Sequence, residues 1–182
     1  EMLRNDEEVP AWYSFPEVVD ELRKSVKNET RGLTVFFTGL PSAGKSTVAR
    51  ALMAQLAEKT GRRVSLLDGD VVRLNLSKGL GFSKEDRDTN ISRIGFVANE
   101  ITKHGGIAVC AAVAPYRDVR DANRRLISRS GAYVEVFVDT PKRVCEKRDV
   151  KGLYKLARQG KITTFTGISD PYERPLKPDI VL

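Results

Sequence analysis

Residues 39–47 read GLPSAGKST and match the phosphate-binding pattern G-x-x-x-x-G-K-S/T at every fixed position. An apolar run, 33–37, comes directly before the match, and a helix-forming segment follows it. In such a loop backbone N–H groups converge on phosphate oxygens, Lys45 reaches the β- and γ-phosphates, and the Ser46 hydroxyl can bind Mg²⁺. The sequence therefore predicts a nucleotide-binding loop made of Gly39, Leu40, Pro41, Ser42, Ala43, Gly44, Lys45, Ser46 and Thr47.

Apolar runs alternate with helical segments after residue 32. The runs lie near 33–38, 63–67, 107–113 and 133–138, and the helical segments near 45–60, 84–104, 117–129 and 141–149. Strands separated by helices of this length form right-handed βαβ units, in which the strands are parallel and helices cover both faces of the sheet. We therefore predict an α/β fold for residues 32–182, a P-loop NTPase-like three-layer sandwich with a mostly parallel sheet.

The two ends of this pattern differ from its centre. Residues 1–31 are expected to form a linker or docking arm with one helix, because residues 14–17 resemble a capping box. Residues 150–178 are a basic segment punctuated by glycine and proline, and a loop of this length in a compact domain is commonly an active-site lid. Residues 180–182 begin another apolar run, which predicts a further strand.

Composition narrows the classes of function. The chain has 182 residues and a net charge of +7, which suits ligands that carry phosphate. The basic residues are dispersed and lack interleaved aromatic side chains, so we expect no nucleic-acid partner. No apolar run is long enough for a membrane span and no signal peptide is recognisable, so we expect a cytoplasmic protein with Cys110 and Cys145 reduced. His104 is the only histidine, which argues against a zinc site or a histidine-based triad.

Two carboxylates, Asp68 and Asp70, follow the second apolar run. Open α/β sheets bind ligands at the carboxyl ends of their strands, so both side chains are expected near the phosphate loop. One would hold Mg²⁺ and the other would accept a proton from an attacking hydroxyl, as phosphoryl transfer requires. Alternatively, Asp68 is a helix N-cap and Asp70 a surface acid. A competing metal ligand is Asp139, which ends the fourth apolar run.

Basic and amide side chains come next, at Arg73, Arg87, Asn90 and Arg93. The last three recur at i, i+3 and i+6 of one predicted helix. Guanidinium groups bind oxyanions in a bidentate manner, and an asparagine offers donors and acceptors to a sugar or a base. This spacing indicates a second anionic substrate. The alternative is an exposed helix face on which the arginines pair with the acids at 85, 86 and 88.

Several segments together closely resemble the adenylylsulfate kinases. They are residues 39–47, LDGD at 67–70, RDTNISRIG at 87–95, APYR at 114–117, residues 135–141, RDVKGLYK at 148–155 and FTGI at 165–168. The resemblance covers about residues 32–178. It implies a Mg²⁺-dependent kinase that transfers the γ-phosphoryl group of ATP to the ribose 3′-hydroxyl of adenosine 5′-phosphosulfate (APS), giving 3′-phosphoadenosine 5′-phosphosulfate (PAPS) and ADP. Such kinases are typically dimeric, which implies a homodimer.

The resemblance also implies roles for individual residues. Catalytic roles fall on Lys45, Asp68, Asp70 and Lys151, metal binding on Ser46 and Asp68, and an ATP contact on Arg148 beside the loop 39–47. The APS site would comprise Asp70, Arg73, Phe82, Arg87, Asn90, Val113, Ala114, Lys151, Thr164 and Phe165. Phe82 and Phe165 would stack on the adenine. Arg87 and Asn90 would hold the phosphosulfate and the sugar, and Lys151 would neutralise charge during transfer.

Three departures from the family pattern bear on mechanism and context. Ala114 stands where many members have serine, so no phosphoserine can form there and direct in-line transfer is favoured. Pro41 stiffens the loop but, lacking an N–H, removes one potential phosphate donor. Residues 9–19 resemble the tail of an ATP sulfurylase, which indicates descent from a bifunctional protein with a covalent or docked sulfurylase domain. Two alternatives stay open: a kinase for another nucleotide or sugar, and a nucleotide-binding regulatory module of a sulfurylase without kinase activity.

Overall fold

A parallel sheet lies at the centre of the part of the chain that the computed structural model describes, which is residues 31–182 together with Pro16, Val18 and Val19. Its strands are β1 (Leu33–Thr38), β2 (Val64–Asp68), β3 (Ile107–Ala111), β4 (Ala132–Phe137) and β5 (Ile180–Val181). Their spatial order is β2-β3-β1-β4-β5, and every neighbouring pair is parallel. The central strand β1 is buried from Thr34 to Thr38 because helices cover it from both sides.

Helices connect the strands on both faces of the sheet. They are α1 (Lys45–Thr60), α2 (Gly69–Asn75), α3 (Lys84–Lys103), α4 (Arg117–Ile127), α5 (Lys142–Arg148) and α6 (Leu153–Arg158). Alternate side chains of β1 enter different apolar clusters. Val35 and Phe37 pack in one with Tyr154 of α6, whereas Phe36 packs in the other with Ile94 of α3. The predicted α/β three-layer fold with a parallel sheet is confirmed.

The predicted segments differ from the observed elements at two helices that the sequence pattern did not reveal. Helix α2 directly follows β2 because the Asp68 carboxylate caps it, with Oδ1 accepting a hydrogen bond from the Asp70 N–H at 3.1 Å. Helix α6 lies inside the segment 150–178, which the sequence suggested to be entirely loop. Its first N–H groups bond to the Asp149 carboxylate, at 2.9 Å from Tyr154 and 3.0 Å from Lys155.

Residues 32–182 form one compact unit, and the chain before them is grouped separately. Pro16, Val18 and Val19 are helical, but the rest of the predicted N-terminal helix and arm lies outside the described residues. The predicted strand at the end of the chain is present as β5, which pairs with β4. Among the described helices, none combines the length and apolar character that a membrane crossing requires. Cys110 and Cys145 are buried free thiols, and burial raises the pKa of both.

Candidate active site

A cavity of about 950 Å³ opens at the carboxyl edge of the sheet. The phosphate loop forms one wall, and α3 with the segment 164–166 forms the opposite wall. The sequence-predicted residues that line it are Pro41, Ser42, Ala43, Gly44, Lys45, Ser46, Thr47, Asp68, Asp70, Arg73, Phe82, Arg87, Asn90, Val113, Ala114, Arg148, Lys151, Thr164 and Phe165. The remaining two, Gly39 and Leu40, do not line this cavity, and their carbonyl oxygens accept hydrogen bonds from Lys45.

The phosphate loop leads into the N-terminus of α1, whose first residues line the cavity. Gly44 occupies the N-cap of α1 with φ 106°, a left-handed conformation that glycine adopts without a Cβ clash. The Thr47 and Val48 N–H groups bond to the Gly44 carbonyl at 3.1 Å, whereas the Lys45 and Ser46 N–H groups have no partner among the described residues and are available to an anion. Arg148 closes over the loop, and its Nη1 donates to the Ala43 carbonyl at 3.1 Å.

Lys45 is buried beneath the same loop. Its Nζ donates to the carbonyl oxygens of Gly39 at 3.0 Å and Leu40 at 2.7 Å. Burial lowers the pKa of Lys45 to about 8, a change that the nearby carboxylates of Asp68 and Asp70 only partly oppose. A phosphate group would restore the preference for the charged form, because an anion stabilises an ammonium in a poorly solvated site.

The two carboxylates of the LDGD segment occupy different environments. Asp68 is buried, caps α2 as the alternative interpretation held, and still lines the cavity, with Oδ2 at 3.9 Å from Arg50. Asp70 is exposed and forms an ion pair with Lys151 across the cavity mouth. Asp139, the competing metal ligand, does not line this cavity. Its carboxylate pairs with Arg174 in a separate cavity of about 620 Å³.

Arg87 joins α3 to the segment that follows α6. Its Nη2 lies 2.6 Å from Asp170 Oδ2 and donates to the Thr164 carbonyl at 2.9 Å, and its Nη1 donates to the Thr166 hydroxyl. Arg87 is only 6% exposed. Within the described part of the chain these contacts use three of the five guanidinium N–H groups, which leaves two for a ligand. Arg87 therefore pairs with Asp170 and not, as the alternative interpretation proposed, with the neighbouring acids of α3.

Asn90 and Arg93 show that the i, i+3, i+6 spacing was only partly informative. Asn90 is buried, lines the cavity, and its Oδ1 has no hydrogen-bond partner among the described residues. Arg93 does not line the cavity; its Nη1 donates to the Leu76 carbonyl at 2.7 Å. Because six residues turn a helix by roughly 600°, Arg93 points about 120° away from Arg87. Arg93 therefore does not belong to the second anionic site that the spacing of the three residues indicated.

Two aromatic rings line the cavity, and they differ in how tightly the surrounding residues pack against them. Phe82 is 58% exposed, and the Arg73 guanidinium lies 4.6 Å from its ring centroid. Arg73 is itself fixed by donating to the Gly81 carbonyl at 3.0 Å. Phe165 is buried and packs edge-to-face on Tyr154, with ring centroids 4.9 Å apart. One ring is therefore free to adjust to a ligand, whereas the other is preset by the core.

A buried polar network, missed by the sequence reasoning, supports the floor of the cavity at Val113 and Ala114. The Thr38 hydroxyl donates to the Val113 carbonyl at 2.7 Å, and Arg120 donates to the Ala114 carbonyl while lying 3.2 Å from Glu135. Ala114 needs this support because its φ of 44° is uncommon for a residue with a Cβ. The available signal was Glu135, a charged residue inside an apolar strand.

Residues 31–182 match the sequence model of the adenylylsulphate kinase family. The chain is 59% identical over 150 residues to an adenylyl-sulfate kinase of Rippkaea orientalis. The aligned residues cover 82% of this chain and 81% of the relative. It is 49% identical over 181 residues to a sulfate adenylyltransferase of Gibberella zeae, covering 99% of this chain and 32% of the relative. The chain therefore spans about a third of that longer protein.

Solved structures of APS kinases are also similar to this chain. The APS kinase of Mycobacterium tuberculosis, determined in complex with AMPPNP and APS, superposes with a TM-score of 0.81 at 44% identity, covering 84% of this chain and 88% of that one. A hexameric APS kinase from Thiobacillus denitrificans gives a TM-score of 0.65 at 47% identity, covering 100% of this chain and 31% of that one.

Proposed function

The chain belongs to the adenylylsulfate kinase family, and we propose that its cleft transfers the γ-phosphoryl group of ATP to the 3′-hydroxyl of APS, giving PAPS and ADP. The observation that carries this proposal is a single cavity with two chemically different walls. One wall offers backbone N–H groups and an ammonium to a triphosphate. The other offers guanidinium, amide and aromatic groups to a second nucleotide.

ATP would bind through the phosphate loop. The N-terminus of α1 and the Lys45 ammonium would neutralise the β- and γ-phosphates, and Arg148 would cover the bound nucleotide. Since Lys45 is held by two carbonyl oxygens before any ligand arrives, its position costs little reorganisation during reaction. We assign Lys45 the main role in stabilising charge on the transferring group.

The residues present fit the magnesium ion that ATP-dependent phosphoryl transfer uses. Mg²⁺ takes oxygen ligands, usually one or two carboxylates with substrate phosphates, and retains several waters. The Ser46 hydroxyl and the Asp68 carboxylate both line the cavity, and Asp68 is buried there. We assign these two side chains to the metal, which when bound would screen the negative charge of the phosphates.

APS would bind on the opposite wall. The two remaining N–H groups of Arg87 and the free Oδ1 of Asn90 suit an anionic group and a sugar hydroxyl or adenine amine. Phe82 and Phe165 would contact the adenine, and Arg73, Val113, Ala114 and Thr164 would complete the pocket. Asp70 would accept the proton of the attacking hydroxyl once Lys151 turns to the phosphates. Transfer would be direct, because Ala114 has no hydroxyl to carry a phosphoryl group.

A steady-state kinase assay tests this function. ADP release from ATP and Mg²⁺ should be fast with APS as acceptor and slow with AMP or shikimate, and PAPS should appear in equal amount. Equal rates for all acceptors would make the chain a different small-molecule kinase. ATP binding without phosphoryl transfer to any acceptor would support the alternative of a regulatory module without kinase activity. The presence of Lys45, Asp68 and Asp70 in one cleft argues against that alternative.

We further propose a homodimer, and descent from a fusion with an ATP sulfurylase. The relationship to a longer sulfate adenylyltransferase supports a fused ancestor. The hexameric relative supports oligomerisation in general without specifying two subunits. Light scattering on the purified chain measures the oligomeric state directly, and a monomeric mass would contradict the dimer.

A further inference from the structure

Tyr154 of α6 contacts both nucleotide walls without lining the cavity itself. Its hydroxyl donates to the carbonyl oxygen of Pro41 in the phosphate loop at 3.2 Å. Its ring packs edge-to-face on Phe165, with ring centroids 4.9 Å apart and an interplanar angle of 76°. The residue is only 1% exposed, so neither contact competes with water.

The hydroxyl contact fixes the orientation of one peptide group in the loop. The peptide between Pro41 and Ser42 is trans, so its carbonyl oxygen and its N–H point in opposite directions. Because Tyr154 holds the oxygen on the core side, the Ser42 N–H is directed away from the core, and Ser42 lines the cavity. Ser42 also has a φ of 59°, a conformation that an alanine or serine rarely holds without support.

The sequence of this loop makes that peptide group more important than in a loop without proline. Pro41 contributes no N–H, so after Leu40 the next backbone donor of the loop is Ser42. A rotation of the Pro41–Ser42 peptide would turn a carbonyl oxygen toward the phosphates, replacing attraction by repulsion. The hydroxyl of Tyr154 opposes this rotation.

The segment before α6 fixes Tyr154 relative to the cavity. The Asp149 carboxylate accepts hydrogen bonds from the Tyr154 N–H at 2.9 Å and the Lys155 N–H at 3.0 Å. Arg148 and Lys151, which lie on either side of Asp149 in sequence, both line the cavity. A displacement of Tyr154 would therefore be transmitted to charged groups of both walls.

We infer that Tyr154 is a positioning residue that serves the two nucleotide sites with separate parts of its side chain. The hydroxyl orients the Pro41–Ser42 peptide for the phosphates of ATP, and the ring holds Phe165 in place for the adenine of APS. The assignment of the two sites rests on the proposed function. The division between hydroxyl and ring makes the inference testable by two substitutions at one position.

Tyr154→Phe removes the hydroxyl and keeps the ring. We expect the KM for ATP, and the Kd for ATP measured by calorimetry without acceptor, to rise about fivefold, the usual effect of one hydrogen bond. The KM for APS should stay within about twofold of wild type. Tyr154→Leu removes both contacts, and the KM for APS should then rise about fivefold above that of the phenylalanine variant.

Tyr133→Phe is the matched control. Tyr133 is also a buried tyrosine, but it stacks on Phe36 in the apolar cluster on the other face of the sheet. Both KM values should stay at wild-type levels in this variant. The thermal unfolding midpoint of each variant should be measured as well, so that a change in KM caused only by lower stability can be recognised.

An unchanged Kd for ATP in Tyr154→Phe would overturn the inference, as would equal changes of both KM values. Failure of the proposed function is a different result. In that case the wild-type protein would bind ATP but would not phosphorylate APS, and the calorimetric comparison of Tyr154→Phe with wild type would still decide the role of the hydroxyl.

Discussion

The two walls of the cleft are built in different ways. The phosphate wall is one continuous stretch of nine residues, 39–47, in which the Lys45 side chain bonds back to the Gly39 and Leu40 carbonyl oxygens. The acceptor wall is assembled from α3, the residues that follow β3 and the segment 164–166. Arg87 joins α3 to that segment through the Thr164 carbonyl and through Asp170. The first wall is made of one local segment that Thr140, Arg148 and Tyr154 contact from outside. The second wall is itself assembled from segments that are far apart in sequence.

This difference has consequences for substitutions. Loss of a group on the phosphate wall should reduce the rate of transfer, because that wall stabilises charge that develops during reaction. Loss of a group on the acceptor wall should mainly weaken binding of one substrate, since its groups recognise parts of the molecule that do not react.

The largest effect is expected for Lys45→Ala. Removal of a preorganised cation from the transferring phosphoryl group should lower kcat by about 10³-fold. Circular dichroism should show an intact fold, because Lys45 bonds to two carbonyl oxygens of a loop and does not join helices or strands. Lys59→Ala, in the exposed last turn of the same helix, is the control and should retain wild-type kcat. A kcat within tenfold of wild type in Lys45→Ala would contradict this role.

The pH dependence of ATP binding should report the same lysine. Its pKa is lowered by burial to about 8, so the charged form that attracts phosphate predominates below pH 8 and is lost above it. The Kd for ATP should therefore roughly double between pH 7 and pH 8 and rise about tenfold by pH 9. Calorimetry in buffers of different ionisation enthalpy should detect proton uptake on binding near pH 8. A flat Kd up to pH 9.5 would mean that the lysine stays charged.

Asn90→Ala should affect the acceptor wall selectively. Loss of the hydrogen bonds that its free Oδ1 would form should raise the KM for APS about fivefold and change the KM for ATP by less than twofold. Arg93→Gln on the same helix is the control, because Arg93 does not line the cavity and should leave both values within about twofold. A larger effect on ATP than on APS would assign this helix to the other substrate.

A smaller effect is expected for Asp170→Asn. The substitution keeps the shape of the side chain but removes the charge that Arg87 contacts at 2.6 Å, so the acceptor wall should loosen. We expect the KM for APS to rise about threefold and proteolytic cleavage within 164–170 to become faster. In the wild-type protein, binding of both nucleotides should protect this segment from cleavage. Asp121→Asn, an exposed acid on α4, is the control. Unchanged cleavage would show that the ion pair does not hold this segment.

The sequence predicted the phosphate wall well because its information is local. A strand, a glycine-rich turn and a helix follow each other along the chain, and their spacing is visible in the residues themselves. The parallel sheet was predictable for the same reason, from alternating apolar runs and helical segments. Helix α2 was missed because its start signal, Asp68, is also a metal-ligand candidate, and only the alternative interpretation included the cap.

The acceptor wall was predicted less completely because its contacts are non-local. Family resemblance identified residues that line it, but residue spacing alone could not separate Asn90, which faces the cavity, from Arg93, which does not. Nothing in the local sequence indicated that Arg120 would pair with Glu135 or that Tyr154 would join the phosphate loop to Phe165. Such contacts connect segments whose separation is fixed only by the assembled sheet.

A crystal structure with APS and a non-hydrolysable ATP analogue tests the central claim most directly, which is that both nucleotides meet in one cleft for direct transfer. We predict that the ribose 3′-oxygen of APS will lie within about 3.5 Å of the γ-phosphorus, in line with the bond to be broken. APS bound elsewhere, or separated from the γ-phosphate by the side chains of the acceptor wall, would contradict the account.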